Sequence, residues 1–197
     1  TQVFALKEGE NTLSITEADA LGNSTTINLR LIYVIPDTQA PTITINPVKT
    51  PTNQNVTLSY TLADNKSAPD KIVVTGNQSP YTNEGSYNVT LKATDEAGNF
   101  ANATISFVID KTAPVIRITA PLEGATVNTS RITVNYTVDG AAKTKAFDLV
   151  QGANTLTISE TDAAGNTGSA AVKVTLDTQG PVIRIISPPD GSTVNAA

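Results

Sequence analysis

Two stretches of this chain match with no gap: VFALKEGENTLSITEADALGN (3–23) and AFDLVQGANTLTISETDAAGN (146–166). A third, YNVTLKATDEAGN (87–99), matches the end of both. Self-similarity of this kind is the signature of a repeat architecture, and it narrows the fold more than composition does. The first match keeps Phe, Gly, Asn, Leu, Ile, Glu, Asp, Gly and Asn in register, so chance in a Thr- and Ala-rich chain is a poor account of it. Each copy runs on through a strand-like segment to a Pro-containing junction: DTQAPTITI (37–45), DKTAPVIRI (110–118) and DTQGPVIRI (177–185). APLEGATVN (120–128) then recurs as SPPDGSTVN (187–195). Asp37 and Asp110 lie 73 residues apart, and Asp110 and Asp177 lie 67 apart. The chain therefore reads as a C-terminal half-domain (1–37), two whole domains (38–110 and 111–177) and the first strand of another (178–197).

Within each repeat the apolar residues alternate. RITVNYTV (131–138) puts Ile132, Val134, Tyr136 and Val138 on one face; VTLSYTL (56–62) has the same pattern. YNVTLKA (87–93) places Tyr87, Val89, Leu91 and Ala93 inward, and ATISFVI (103–109) places Ala103, Ile105, Phe107 and Ile109 inward. Period-2 runs broken by Gly, Asn, Asp and Pro every 8–12 residues predict an antiparallel sandwich. The fold class is all-β: tandem immunoglobulin-like β-sandwich domains in a linear rod, six or seven short strands each, without the Cys…Trp…Cys hallmark. Charged residues make up only 16% of the chain, and Thr, Ser and Asn are abundant, which favours strands over amphipathic helices.

EGENTLSITEADALGN, QGANTLTISETDAAGN and the DKTAPVIRITAP junction resemble the bacterial Ig-like domains strung along large surface proteins. They are also similar to Ig-like modules appended to secreted glycoside hydrolases. The resemblance covers nearly the whole chain, specifies the domain type, and implies an extracellular, cell-surface location. It specifies function poorly, because such folds carry many roles.

Cysteine, histidine, methionine and tryptophan are absent. No disulfide, zinc site, thiol nucleophile or Ser-His-Asp triad is available. The net charge is −5 with no basic patch, so nucleic acid is not an expected partner. No run of 18 apolar residues exists, so no segment is expected to insert in a membrane.

The D-x-x-G-N turn (19–23, 95–99, 162–166) lies between the last two strands of each repeat. Gly supplies positive φ, Asn tolerates it, and Asp bonds neighbouring amides, so hairpin chemistry alone is one account. Strand geometry supports a second. The final strand spans roughly 33 Å at ~3.3 Å per residue, which puts the turn beside the preceding junction. The loop after the second strand lies at that end too. Asp110, Asp139 and Asp162 should then converge, as should Asp37, Asp64 and Asp95. A hard divalent cation would relieve their repulsion, and calcium suits an irregular oxygen cage. Resemblance to adhesins whose Ig-like junctions are stiffened by calcium points the same way. Asn99 and Asn166 are further candidate ligands, by side chain or carbonyl. Glu160 joins the second site on its inward-facing pattern; Glu17 holds the matching position, whereas the middle repeat has Ala93 there.

N-x-S/T sequons occur at Asn23, Asn55, Asn65, Asn77, Asn88, Asn102, Asn128 and Asn135, more than composition gives by chance. Such motifs mark surface acceptors for glycosylation.

The functional reading is a non-catalytic spacer segment of a long extracellular surface protein: a surface-layer protein, adhesin stalk or filament. Its expected partners are adjacent repeats of the same polypeptide, with self-assembly into a layer or filament. The alternative is accessory modules of a secreted carbohydrate-active enzyme or protease. Catalysis by paired carboxylates such as Asp139 and Asp162 would need a substrate cleft, and a junction between repeats offers little. The incomplete ends raise head-to-tail strand addition between copies. Together they still lack an equivalent of RITVNYTVDGAAK (131–143), so the simpler expectation is a portion of a longer polypeptide.

Overall fold

The computed structural model describes residues 3–195. The chain divides into two units. The first gathers the segments up to Val48, Val56–Tyr81 and Ser86–Phe107; the second gathers Lys49–Asn55, Thr82–Gly85 and everything from Val108 on.

In the first unit, β1 (Gly9–Ala18) and β2 (Ser24–Tyr33) form an antiparallel hairpin with ten rungs, Gly9↔Tyr33 to Ala18↔Ser24. β3 (Thr42–Ile45) pairs with β4 (Tyr60–Ala63). A single 3₁₀ turn at Pro69–Lys71 leads to a sheet of β5 (Val73–Thr75), β6 (Gly85–Thr94) and β7 (Phe100–Ile109). The alternation read in β6 and β7 is realised: Val89, Leu91, Ala93, Phe107 and Ile109 are buried. Tyr81, Tyr87 and Phe107 form an aromatic cluster with ring centroids 5.0–5.3 Å apart. VTLSYTL is only partly a strand. Val56 and Leu58 are buried as their alternation predicts, but they are tied to a neighbouring loop. Val56 and Tyr81 exchange two backbone hydrogen bonds (3.0 and 2.8 Å), and the Leu58 N–H donates to Ser79 Oγ (2.9 Å). Regular pairing begins at Tyr60.

The second unit contains a six-stranded sandwich: β8 (Ile116–Ala120), β9 (Ala125–Val127), β10 (Arg131–Val138), β11 (Ala141–Asp148), β12 (Gly152–Thr161) and β13 (Thr167–Leu176). One sheet has the order β11-β10-β8 and the other β12-β13-β9. Val134 and Tyr136 from the first meet Leu156, Ile158, Val172, Val174 and Leu176 from the second in one core. The inward residues of RITVNYTV are those of the sequence pattern. β9 is short and runs parallel to β13.

β12 and β13 pair over ten rungs, Gly152↔Leu176 to Thr161↔Thr167, the same register as β1 and β2. The surroundings of the two hairpins differ. Ile158 and Val172 are 0% and 4% exposed, whereas Ile15 and Leu29 at the matching positions are 41% and 48% exposed. Residues 178–195, read as a first strand, form none. Their counterpart β8 is held by β10, whereas residues 178–195 pair with no named strand among the described residues.

Candidate functional site

The three D-x-x-G-N turns share one construction. In each, the Asp N–H donates to the Asn carbonyl (2.9–3.0 Å) and the Gly N–H to the Asp carbonyl (3.1–3.3 Å). The carboxylate then closes the turn. Asp162 Oδ1 accepts from the Asn166 N–H (2.8 Å) and its Oδ2 from Asn166 Nδ2 (2.9 Å); Asp95 with Asn99 and Asp19 with Asn23 do the same. These donors hold the Asp162 and Asp19 carboxyls below the usual carboxylate range, with the Asn side chain the largest cause in each. In two turns the Asn amide reaches further. Asn99 Nδ2 donates to the Asp37 carbonyl (3.2 Å) and Asn166 Nδ2 to the Asp110 carbonyl (2.9 Å). The turn thus sits beside the preceding junction, as strand length implied. Asn99 and Asn166 face it as N–H donors, which is a different role from the oxygen ligands expected of them.

In the first unit, Asp37, Asp64 and Asp95 each present a carboxylate oxygen within 4.8 Å of the others. Each also accepts from local amides through Oδ1. Asp37 takes the Gln39 N–H (3.1 Å), and Asp64 takes those of Lys66 (2.9 Å) and Ser67 (2.7 Å). Asp95 is buried, and the other two are half-buried. Oδ2 of Asp37 and of Asp64 are buried and have no hydrogen-bond partner. The Ser67 and Lys66 amides hold the Asp64 carboxyl below its ordinary range, so it stays ionised at neutral pH. Carboxylates brought this close repel one another when charged. Lys66, the nearest cation in sequence, turns away to Glu8 (3.0 Å) and the Ile35 carbonyl (2.6 Å). Carboxylate oxygens that are close, buried and unpartnered fit a hard, oxygen-seeking cation such as calcium.

The second trio differs. Among the described residues, Asp37, Asp64 and Asp95 are the group with ligand spacing; Asp110, Asp139 and Asp162 are not. Asp139 and Gly140 have φ of 50° and 88° and close the β10–β11 hairpin between Val138 and Ala141. A D-G pair between alternating strands makes this tight turn, which leaves Asp139 exposed with Oδ1 on the Val115 N–H (2.8 Å). Asp64 lies in ADNKS, where no such turn forms. Asp110 Oδ1 accepts from the Thr112 N–H (3.0 Å). Glu160 does face inward, but both its oxygens are engaged, by the Tyr136 hydroxyl (2.6 Å) and Lys143 Nζ (2.9 Å). It is part of a Tyr–Glu–Lys cluster rather than a ligand. Sequence reasoning missed Glu84, whose Oε1 accepts from the Lys111 N–H (2.7 Å) and Thr112 Oγ1 (2.9 Å). The signal was the junction itself: DKTAP carries Lys111 where DTQAP carries Thr38. Lys111 Nζ in turn reaches Asn55 Oδ1 (2.8 Å) and the Thr82 carbonyl (2.7 Å). All eight sequon asparagines are exposed.

Two facing sheets and a repeated hairpin describe an Ig-like sandwich, and the family comparison agrees. Residues 77–150 match the family model of the bacterial Ig-like domain (group 3). The bacterial Ig-like match spans β6 to β11, from inside one repeat into the next. Ig-like domain families are typically non-catalytic and are typically extracellular or surface modules. No curated protein matches the chain. Among solved structures, the fibronectin(III)-like modules of Clostridium thermocellum CbhA are 16% identical, with 68% of this chain and 94% of that chain covered and a TM-score of 0.39. Among the described residues no helix is long and apolar enough to cross a membrane.

Proposed function

We propose that this chain is a non-catalytic spacer segment of a long extracellular surface protein, and that calcium bound by Asp37, Asp64 and Asp95 stiffens its first unit. The observation that carries the reading is the trio Asp37, Asp64 and Asp95, each with a carboxylate oxygen within 4.8 Å of the others, together with the buried, unpartnered Oδ2 atoms of Asp37 and Asp64. Asp37 belongs to the junction, Asp64 to the loop after β4 and Asp95 to the β6–β7 turn. An ion there ties three separated segments together. Repeated hairpins of one register support a modular role, and the exposed sequons support a surface location.

The test is thermal unfolding in millimolar calcium and again in excess chelator. At ~100-fold over its Kd, calcium should add about 2.7 kcal/mol. That corresponds to a rise in Tm of several degrees. Asp64→Asn should abolish the calcium response, while Asp139→Asn should keep it. Identical curves with calcium and chelator would remove the ion from this reading.

A further inference from the structure

The eight sequons share a motif but not an environment. Attachment of a sugar at N-x-S/T needs a carboxamide nitrogen that is free to react and, two residues on, a hydroxyl that can be recognised beside it. A sequon inside a hydrogen-bonded strand withholds both, because the segment leaves its ladder only by local opening.

Seven sequons fail on one of these counts. The Asn23 side-chain amide donates to Asp19 Oδ2 (2.9 Å) and is part of its turn. Asn55 Oδ1 accepts from Lys111 Nζ (2.8 Å), and Val56 beside it is buried. Ser67, the hydroxyl residue of the Asn65 sequon, is 6% exposed and accepts from the Glu96 N–H (3.3 Å). In the Asn77 sequon the Ser79 hydroxyl is engaged twice, donating to Asn77 Oδ1 (2.6 Å) and accepting from the Leu58 N–H (2.9 Å). Asn88 lies in β6 and accepts from Ser106 Oγ (3.2 Å). Its Thr90 hydroxyl is bonded to that of Thr104 (2.9 Å), which is itself the hydroxyl of the Asn102 sequon in β7. Asn135 lies in β10, between β11 and β8, with Tyr136 buried and Thr137 half-buried.

Asn128 differs on every count. Asn128, Thr129 and Ser130 connect β9, which ends at Val127, to β10, which begins at Arg131. All three are exposed. Among the described residues, neither the Asn128 carboxamide nor the Ser130 hydroxyl has a hydrogen-bond partner. The loop is nonetheless fixed at both ends. The Asp177 N–H donates to the Val127 carbonyl (2.9 Å), and the Leu149 N–H to the Ser130 carbonyl (2.7 Å). The sequon is therefore presented on a held loop, with no side-chain bond to break before it can react.

We infer that Asn128 is the glycan acceptor that stays available in the folded chain, and that its donor is an activated sugar phosphate. In the transfer, Asn128 Nδ2 bonds to the anomeric carbon as the bond from that carbon to the phosphate oxygen breaks. The phosphate leaves with the electron pair, and the amide gives up one proton to a base of the transferring enzyme. This goes beyond the spacer and calcium reading, and either can fail without the other.

The full, folded chain is incubated with UDP-glucose and a soluble bacterial N-glycosyltransferase that accepts N-x-S/T, and the attached hexose is located by peptide mass spectrometry. Synthetic peptides spanning the eight sequons give the unfolded reference. In the folded chain Asn128 should fill faster than any other site by about tenfold or more, since most of the others must first open locally. Among the peptides the rates should lie much closer together. Ser130→Ala should abolish labelling at Asn128 and Ser130→Thr should restore it, both with an unchanged Tm. Labelling of the folded chain led by another sequon, or spread evenly over several, would overturn the inference. So would an Asn128 that takes no hexose in the folded chain.

Discussion

Glu160 shows how one side chain sets a pH dependence. The Lys143 ammonium first, then the Tyr136 hydroxyl, holds its carboxyl below the ordinary 4.5. Glu160 in return raises both partners, Lys143 from 10.5 and Tyr136 from 10.0. A depressed acid stabilises the fold above its unfolded pKa, and that contribution is lost as pH falls through the lower folded value. A raised base stabilises below its unfolded pKa, and the contribution is lost as pH rises through the higher folded value. Glu160→Gln should therefore lower stability at pH 7 and flatten its fall at both ends, below 4.5 and above 10.5, in urea titrations across pH. Part of this was legible. The alternation of GANTLTISET points Glu160 inward. Its partners were not, because Tyr136 and Lys143 are opposed rungs of the β10–β11 pair, and no local pattern brings that pair to β12.

The β12–β13 turn gives the element-scale test. Asn166→Ala removes both Nδ2 bonds, to Asp110 and to Asp162. It should cost about 1–3 kcal/mol by chemical denaturation, since the half-buried Asp110 carbonyl and Asp162 carboxylate both lose a donor. Asn23→Ala loses only the Asp19 contact and should cost less. The turn and the hairpin around it could be read directly from the repeat, because Asp, Gly and Asn each have a local job. Asp139 was misplaced because its neighbour Gly140 permits a tighter turn than Asn65 does in the other loop. The tail was misread for a related reason. PVIRI has strand alternation, but alternation says which face would be buried and not whether a neighbouring strand exists.

For the whole molecule, the two units make unfolding modular. Calorimetry should resolve two transitions. The acidic trio lies entirely in the first unit, so chelator should move one transition and leave the other in place. A shift of both would mean that a second ion is held around Asp110, Asp139 and Asp162. The domain class was visible from periodicity and punctuation alone. The difference between the two junctions was not, because it turns on a Lys-for-Thr exchange and on one D-G pair.

The parallel pairing of β9 with β13 has a mechanical consequence. β9 lies near the start of its repeat and β13 at the end, so a tensile load on the chain pulls the two strands past each other along their length. The rungs at Ala125, Thr126 and Val127, with the Gly124 and Asp177 amides at either side, are then strained together in shear instead of being peeled one at a time. Few bonds loaded at once resist sudden extension better than the same bonds opened in sequence, and forced unfolding is governed by the rate of that first rupture. A repeat built this way behaves as a latch under tension.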